Sequence, residues 1–389
     1  MNDNKEVLGL SAAQIRVAGA QWTTQEIGQQ PRLWPQIAQQ VRGEASVAQF
    51  LAPLLQDPAL RIVLTGAGSS SYIGTCLAPA LCKAGRRAEA IPTTDIVANP
   101  GAAFAERART LVIHFARSGN SPESGAALEL AEQLVADCHH LIVTCNGQGQ
   151  LRRRAGATRH AAALVLPEAC NDQSFAMTSS FSGMLLAAGL LLGVIPSDVA
   201  RLANLAHAGA EILARQLPLV SALVRAQFDR VVYLGSGELK GLAQEAALKM
   251  LELTDGRVVS VGESPLGFRH GPKTIVNGST LVVTFVSSDA YTRRYDLDLI
   301  SELRRDAVAG RVIAVSAAAP GAPDSDTVIV GEPGAATDLE LCLPYVVFAQ
   351  MLATLRSVSL GLSPDQPNAA GTVSRVVKGV SLYPFPPRS

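Results

Sequence analysis

Charge of one sign is nowhere in excess. Lys plus Arg and Asp plus Glu both number 33 in 389 residues, and the basic cluster Arg152, Arg153 and Arg154 is too short to track a phosphate backbone, so no nucleic-acid partner is expected. The longest apolar run, "GMLLAAGLLLGVIP" from Gly183, falls short of the roughly 18 residues that begin to suggest a membrane span. The start "MNDNKEVLGL" has no apolar core behind a basic residue, and a cytoplasmic location away from membranes is the expectation. Cysteine is sparse and unpatterned. Cys76, Cys82, Cys138, Cys145, Cys170 and Cys342 form no C-x-x-C pair and have no histidines at ligand spacing, so they read as reduced core residues and no zinc site is expected. No G-x-x-x-x-G-K-[ST] stretch occurs, which disfavours a nucleoside triphosphate.

What is abundant is apolar and small. Hydrophobic residues make up 48% of the chain, with 33 Gly and only 17% charged residues. That is enough to bury real cores, and the length suggests about two of them. Short β-branched runs end at small polar residues and are each followed by an Ala/Leu-rich helical stretch. The runs also recur. "RIVLTGAGSS" from Arg61 resembles "RVVYLGSGEL" from Arg230; "TLVIHFARSG" from Thr110 resembles "TLVVTFVSSD" from Thr280; "LIVTCNG" from Leu141 matches "RVIAVSA" from Arg311. The spacing is nearly constant at about 170 residues, and the apolar helices from Phe181 and Tyr345 pair at a slightly shorter interval. The chain therefore reads as two copies of one α/β unit, each a parallel sheet with helices on both faces, a three-layer αβα sandwich. The predicted organisation is a helical arm over 1–43, a first domain over 44–215 and a second over 216–389.

Ligands of such sheets bind beyond the C-terminal strand ends. After the first strand comes "GAGSSSYIG", residues 66–74. Its G-x-G resembles a dinucleotide loop, but Ser71 stands where the fingerprint wants a third Gly. Gly68, Ser69 and Ser70 suit a small phosphate at a helix N-terminus, or else simply cap the helix. The loop "ARSGNSPES" follows the next clear strand. Ser121 with Pro122 reads as a helix start, while Ser118, Gly119 and Asn120 ahead of it are more than a cap needs; they fit an anion site, with a polar turn as the bland alternative. In "ACNDQSFAMTSSFSGM" from Ala169, Thr178, Ser179 and Ser180 begin an apolar helix, and taken alone they read as a polar N-terminus before a core helix.

The second copy carries "QEAALKMLELTDGRVVSVGESPLGFRHGPKTIV". Glu245, Lys249 and Glu252 share one helix face, as a solvated salt-bridge stripe would. His270, ahead of a Gly-Pro turn, adds an imidazole, and a carboxylate with a histidine is the pair that proton transfer near neutral pH requires.

The motifs "GAGSSS", "ARSGNSPES", "QEAALKMLEL" and "FRHGP", in this order, resemble the sugar isomerase (SIS) domain family, with two domains in tandem as in the isomerase half of glucosamine-6-phosphate synthase. "NDQSFAMTSSF" and "GTVSRVVKGVSLYPF" are similar to the group described as tagatose-6-phosphate ketose/aldose isomerase or galactosamine-6-phosphate deaminase/isomerase. The resemblance implies that Ser69, Ser70, Ser118 and Ser121 hold a sugar phosphate, with Gly68, Gly119, Asn120 and Thr178 completing the binding set. Glu252 matches the carboxylate that moves a proton between C1 and C2, His270 the ring-opening residue, and Lys249 a lysine near the reacting oxygens. Lys378 matches a C-terminal lysine that reaches into the site. The resemblance also implies a homodimer or homotetramer with an active site shared between subunits. The interval from Glu252 to His270 is slightly longer than in the synthase.

The synthase's glutaminase part, with its N-terminal cysteine nucleophile, has no counterpart in the sequence, so ammonia release is the expected direction. The expected reaction converts galactosamine 6-phosphate to tagatose 6-phosphate and ammonia, with neither metal nor redox cofactor, because the proton shift leaves the oxidation level unchanged. The alternatives are a ketose/aldose isomerase that releases no ammonia, a non-catalytic sugar-phosphate sensor and, more remotely, a dinucleotide-dependent oxidoreductase.

Overall fold

A computed structural model describes residues 6–106, 108–158, 160–318, 326–330, 335–377 and 379–386. The chain divides into two compact units. One comprises 36–171, 179–197 and 370–389; the other comprises 1–35, 172–178 and 198–369.

The first-sheet unit carries β1 (Arg61–Thr65), β2 (Arg87–Ala90), β3 (Thr110–Ala116), β4 (Cys138–Thr144) and β5 (Ala161–Val165). All pairs are parallel, in the order β2-β1-β3-β4-β5. Every residue of β1 and β3 is buried, which explains why these strands read as unbroken apolar runs: helices cover the sheet and leave no wet face to impose alternation. Val63 and Val112 pack with Ile96, Phe104, Ala127 and Leu134 from the flanking segments.

The second-sheet unit carries β6 (Arg230–Gly235), β7 (Val259–Glu263), β8 (Thr280–Phe285), β9 (Arg311–Ser316) and β10 (Thr327–Ile329). It too is wholly parallel, in the order β10-β9-β8-β6-β7. Read from the other edge this is the order of the first sheet, with β6, β8 and β9 standing where β1, β3 and β4 stand. The repeat inferred from the sequence is a repeat of topology, and the predicted α/β class is what the chain adopts. Tyr233, Phe285 and Tyr345 stack in this core.

In both units the chain leaves the second strand of the order (β1 or β6) to form the edge strand, then returns on the other side as β3 or β8. The two adjacent strands therefore diverge in their connections, and the crevice at their C-terminal ends is the switch point where such sheets take ligands.

One helix of the second-sheet unit, Asp338–Ser359, is long and apolar enough to cross a membrane by length and composition. It is almost completely buried within the protein, where it packs on helices Glu238–Leu253 and Val199–Arg215. Ahead of the sheets, Ala12–Ala18 and Gln21–Gly43 are helical, and Pro31 and Pro35 lie inside the second of these.

Candidate active site

The turn after β1 is built around two glycines. A Cβ on Gly66 would stand 2.6 Å from the backbone of Ser70, and Gly68 takes φ 56° and ψ −130°, a region a side chain rarely tolerates. This tight turn opens helix Ser69–Lys83, whose N-terminus no side chain caps. The Ser70 and Ser71 amides bond back to the Ala67 and Gly68 carbonyls at 3.1 and 2.9 Å, and the helix turns the positive end of its dipole toward this turn. Ser69 and Ser70 are each 4% exposed. Around the turn, the buried hydroxyls of Thr65, Ser69 and Thr93 have no hydrogen-bond partner among the described residues. Thr93 belongs here because its N–H donates to the Gly66 carbonyl at 2.8 Å. Buried hydroxyls are ordinarily satisfied, so three orphans at one uncapped helix end form a donor set in want of an acceptor. Thr65 and Thr93 escaped the sequence reading: Thr65 looks like the last residue of a strand, and only the backbone bond to Gly66 brings Thr93 to the turn.

The loop after β3 is pinned from the loop after β4. Asn146 Nδ2 donates to the Ser118 carbonyl at 2.9 Å and Asn120 Oδ1 accepts the Gln150 N–H at 3.0 Å, while the Leu151 N–H reaches the Gly119 carbonyl at 2.9 Å. Ser121 occupies the N-cap position of helix Pro122–Leu134, yet its hydroxyl makes no capping bond; it lies 2.6 Å from the Ser124 hydroxyl instead. Ser121 thus takes the helix-start position that the sequence suggests without making the side-chain cap bond, and the Ser124 N–H bonds the Ser121 carbonyl at 3.2 Å. Ser118 and Ser121 are half-buried, and Asn120 is exposed.

The second copy repeats the turn but closes it. Gly235 and Gly237 stand where Gly66 and Gly68 stand, Gly237 with φ 57° and ψ −123°. The next residues differ: Glu238 and Leu239 replace Ser69 and Ser70. The Asp296 carboxylate accepts the Ser236 hydroxyl at 2.7 Å and the Ser287 N–H at 2.9 Å, so it bridges the loops after β6 and β8. Asp338 accepts the Ser287 hydroxyl at 2.5 Å and the Ser288 N–H at 2.6 Å. Internal carboxylates thus accept from the loop donors of Ser236, Ser287 and Ser288. Burial pushes the Asp296 carboxyl up to about 6, against the pull of its bonds from Ser287 and Ser236.

The residues that the sequence suggests for proton transfer lie in the second-sheet unit. Helix Glu238–Leu253 buries Glu245 and Lys249 completely. Lys249 Nζ is 3.7 Å from Glu245 and pairs closely with Glu252, whose side chain is 24% exposed. The stripe that could have been a solvated salt bridge is a buried one with a single partly open end, Glu252. His270 is exposed, directly after helix Pro265–Arg269. Its neighbours Arg269 and Lys273 are tied down: Arg269 to Asp298 at 2.8 Å and Glu302 at 3.0 Å, Lys273 to Asp306 at 2.7 Å. The imidazole rides on an anchored loop. Thr178 is fully buried, its hydroxyl without a partner among the described residues and its N–H bonded to Asp172 at 2.7 Å. Lys378 lies outside the described residues.

Comparison with known proteins now bears on this arrangement. The SIS domain family profile matches residues 54–193, the segment that holds both serine loops. A protein of Shewanella sp. (strain ANA-3) named D-galactosamine-6-phosphate deaminase AgaS is 46% identical over 380 residues, 97% of this chain and 95% of that one. The chain belongs to the SIS family. An Escherichia coli protein with the same deaminase name is 43% identical over 368 residues, covering 94% and 96% of the two chains. Among solved structures, one titled tagatose-6-phosphate ketose/aldose isomerase from Escherichia coli superposes with a TM-score of 0.87 at 40% identity, over 95% of this chain and 99% of that one. The two names fall on chains similar to this one along nearly its whole length. As a SIS protein, it has its family-matched segment in the first-sheet unit except for 172–178, which belong to the other.

Proposed function

We propose that this SIS protein converts galactosamine 6-phosphate and water to tagatose 6-phosphate and ammonia. The observation that carries the reading is the near full-length similarity to proteins named for that deamination. Ser69, Ser70, Ser118 and Ser121, with Gly68, Gly119, Asn120 and Thr178, hold the phosphosugar; the two uncapped helix N-termini favour its negative charge. His270 assists ring opening to the C1 aldehyde. Glu252 takes the proton from C2 and returns it to C1, which leaves C1 as the alcohol and C2 as a protonated imine. Water adds at C2, the C–N bond breaks, and ammonia departs from the new ketone. Lys249, cationic beside Glu252, stabilises negative charge on the oxygen at C1 in the enolamine; Lys378 is assigned a supporting role at the same centre.

A second reading rests on the solved relative's name: a ketose/aldose isomerase moves the same proton but has a hydroxyl at C2 and releases no ammonia. The two are separated by incubating purified protein with a panel of 6-phosphosugars and assaying ammonia and ketose together. Ammonia equimolar with tagatose 6-phosphate supports the deaminase; ketose from a hydroxy-sugar phosphate, with no ammonia from galactosamine 6-phosphate, overturns it. The exposure of His270 suits a homo-oligomer in which it serves a partner's site, and sedimentation of the purified chain checks this. A charged phosphosugar does not cross membranes unaided, which keeps the cytoplasm as the proposed setting.

A further inference from the structure

The segment Asp172–Thr178 belongs to the second-sheet unit, although the residues on either side of it belong to the other. Its hold on that unit centres on Glu26, in helix Gln21–Gly43. Glu26 is 3% exposed. Its Oε1 accepts the Gln173 N–H at 2.5 Å and the Ser174 N–H at 3.2 Å, and its Oε2 is in close contact with the Ser174 hydroxyl. The same Ser174 oxygen lies 3.0 Å from the Ala176 carbonyl. Asp172 turns back to accept the Thr178 N–H at 2.7 Å, and Gln350 Nε2 reaches the Thr178 carbonyl at 3.5 Å.

A serine hydroxyl has one hydrogen, and a carbonyl oxygen only accepts. If Glu26 were ionised, Ser174 would face two acceptors with one proton, leaving one close oxygen pair repulsive. A proton on Glu26 Oε2 resolves this: it donates to Ser174 Oγ, and Ser174 Oγ–H donates to the Ala176 carbonyl. Each close oxygen pair of the relay then has a proton between its members. We propose that Glu26 carries a proton at neutral pH and, through the relay Glu26–Ser174–Ala176, positions the segment that presents Thr178.

The electrostatic setting points the same way, against the lowering effect of the bonds from Ser174 and Gln173. Burial, reinforced by the Asp172 carboxylate, pushes the Glu26 carboxyl up to about 7. Asp172 is the charged group that acts on it; the other carboxylate at this end of the helix, Asp365, is engaged by the Trp22 and Thr23 amides and the Thr23 hydroxyl. Ionising Glu26 places a second negative charge beside Asp172 and breaks the relay, so the segment loosens as pH rises. Glu26 is thus a positioning residue. Only the kinetic consequence rests on the substrate-binding assignment of Thr178.

The test uses the full chain and Glu26→Gln, whose amide reproduces the protonated relay: Oε1 accepts both amides and Nε2 donates to Ser174. Infrared difference spectra between pH 6 and 9 are expected to show, besides the Asp296 contribution common to both proteins, a protonated-carboxyl band lost by the wild type and absent from the variant. Amide hydrogen exchange at 173, 174 and 178, corrected for intrinsic rates, should accelerate in the wild type alone. From pH 7 to 9, kcat/KM is expected to fall about tenfold further in the wild type than in Glu26→Gln. If the variant folds poorly, Ser174→Ala serves for the exchange measurement, since it removes the middle of the relay and should expose these amides already at pH 7. Identical infrared titrations in wild type and Glu26→Gln, or exchange at these amides that does not respond to pH, would overturn the proposal. A pH-dependent band and exchange with no difference in kcat/KM would instead remove Thr178 from the substrate set and leave the relay standing.

Discussion

Asp296 and Ser236 meet at 2.7 Å across 60 residues of chain, carboxylate to hydroxyl, at the switch point of the second sheet. The first sheet differs in the equivalent turn: the Ser69 hydroxyl there has no partner among the described residues. In the second turn carboxylates take the Ser236 and Ser287 hydroxyls; in the first, no described carboxylate takes that of Ser69.

The first expectation is one phosphosugar bound per chain, measured by titration calorimetry with inorganic phosphate or a 6-phosphosugar. A stoichiometry of two would show that Asp296 and Asp338 do not close the second turn. Replacing Asp296 with Ala should cost about 2–4 kcal/mol in urea unfolding, because the Ser287 N–H and the Ser236 hydroxyl lose their acceptor in the interior.

Ser69→Ala is expected to behave oppositely. Its hydroxyl makes no bond to the described residues, so unfolding stability should stay within about 0.5 kcal/mol of wild type, while KM for the phosphosugar rises about tenfold or more through loss of a bond to a charged ligand. A drop in stability with unchanged KM would assign Ser69 to the fold alone.

Glu252→Gln should lower kcat by about 10²- to 10⁴-fold, the usual contribution of a placed base, with phosphate affinity retained. Full turnover by this variant would take Glu252 out of the reaction. Because Lys249 is buried beside Glu252 and Glu245, some loss of stability accompanies the change, and affinity for inorganic phosphate is the control for correct folding.

Acid should weaken the first-sheet unit through His114 and His140. Their rings lie 3.0 Å apart, nitrogen to nitrogen, inside the sheet. Burial lowers both, His140 to about 4. The unfolded chain therefore binds protons that the folded one refuses, and stability falls as pH drops from 6.5 through 4, by on the order of 3 kcal/mol for His140. Glu26 works in the other direction: its raised carboxyl contributes stability below 4.5 that is lost as pH rises through about 7. Comparing His140→Gln with wild type by urea unfolding at pH 7 and 4.5 isolates the histidine. An equal acid loss in both proteins would count against it.

Much of the architecture was legible before the structure. Strands buried on both faces must be apolar throughout, so Ile62, Val112, Ile142 and their twins announce themselves locally, and the recurrence of glycine turns after β1 and β6 marks two copies. The candidate site was legible where chemistry is local, in the serines of two loops and the Glu245, Lys249 and Glu252 face of one helix, whose roles remain proposals. Thr65 and Thr93 were not, because nothing in a strand end or in "IPTTDIV" signals an orphaned hydroxyl. The long helix Asp338–Ser359 is legible in the sequence only from Tyr345 onward, because Asp338, Glu340 and Pro344 interrupt the apolar pattern ahead of it, although the fold buries them.

By itself, then, the sequence determined the class of fold, its duplication and the order of the loops that carry polar groups, since these follow from periodicity and turn chemistry within a few residues. Tertiary structure alone decided which turn is open and which is filled, and that Glu26 governs a segment 147 residues away. Those outcomes depend on hydrogen bonds between residues far apart in the chain, formed only when packing brings a carboxylate and its donors together out of water.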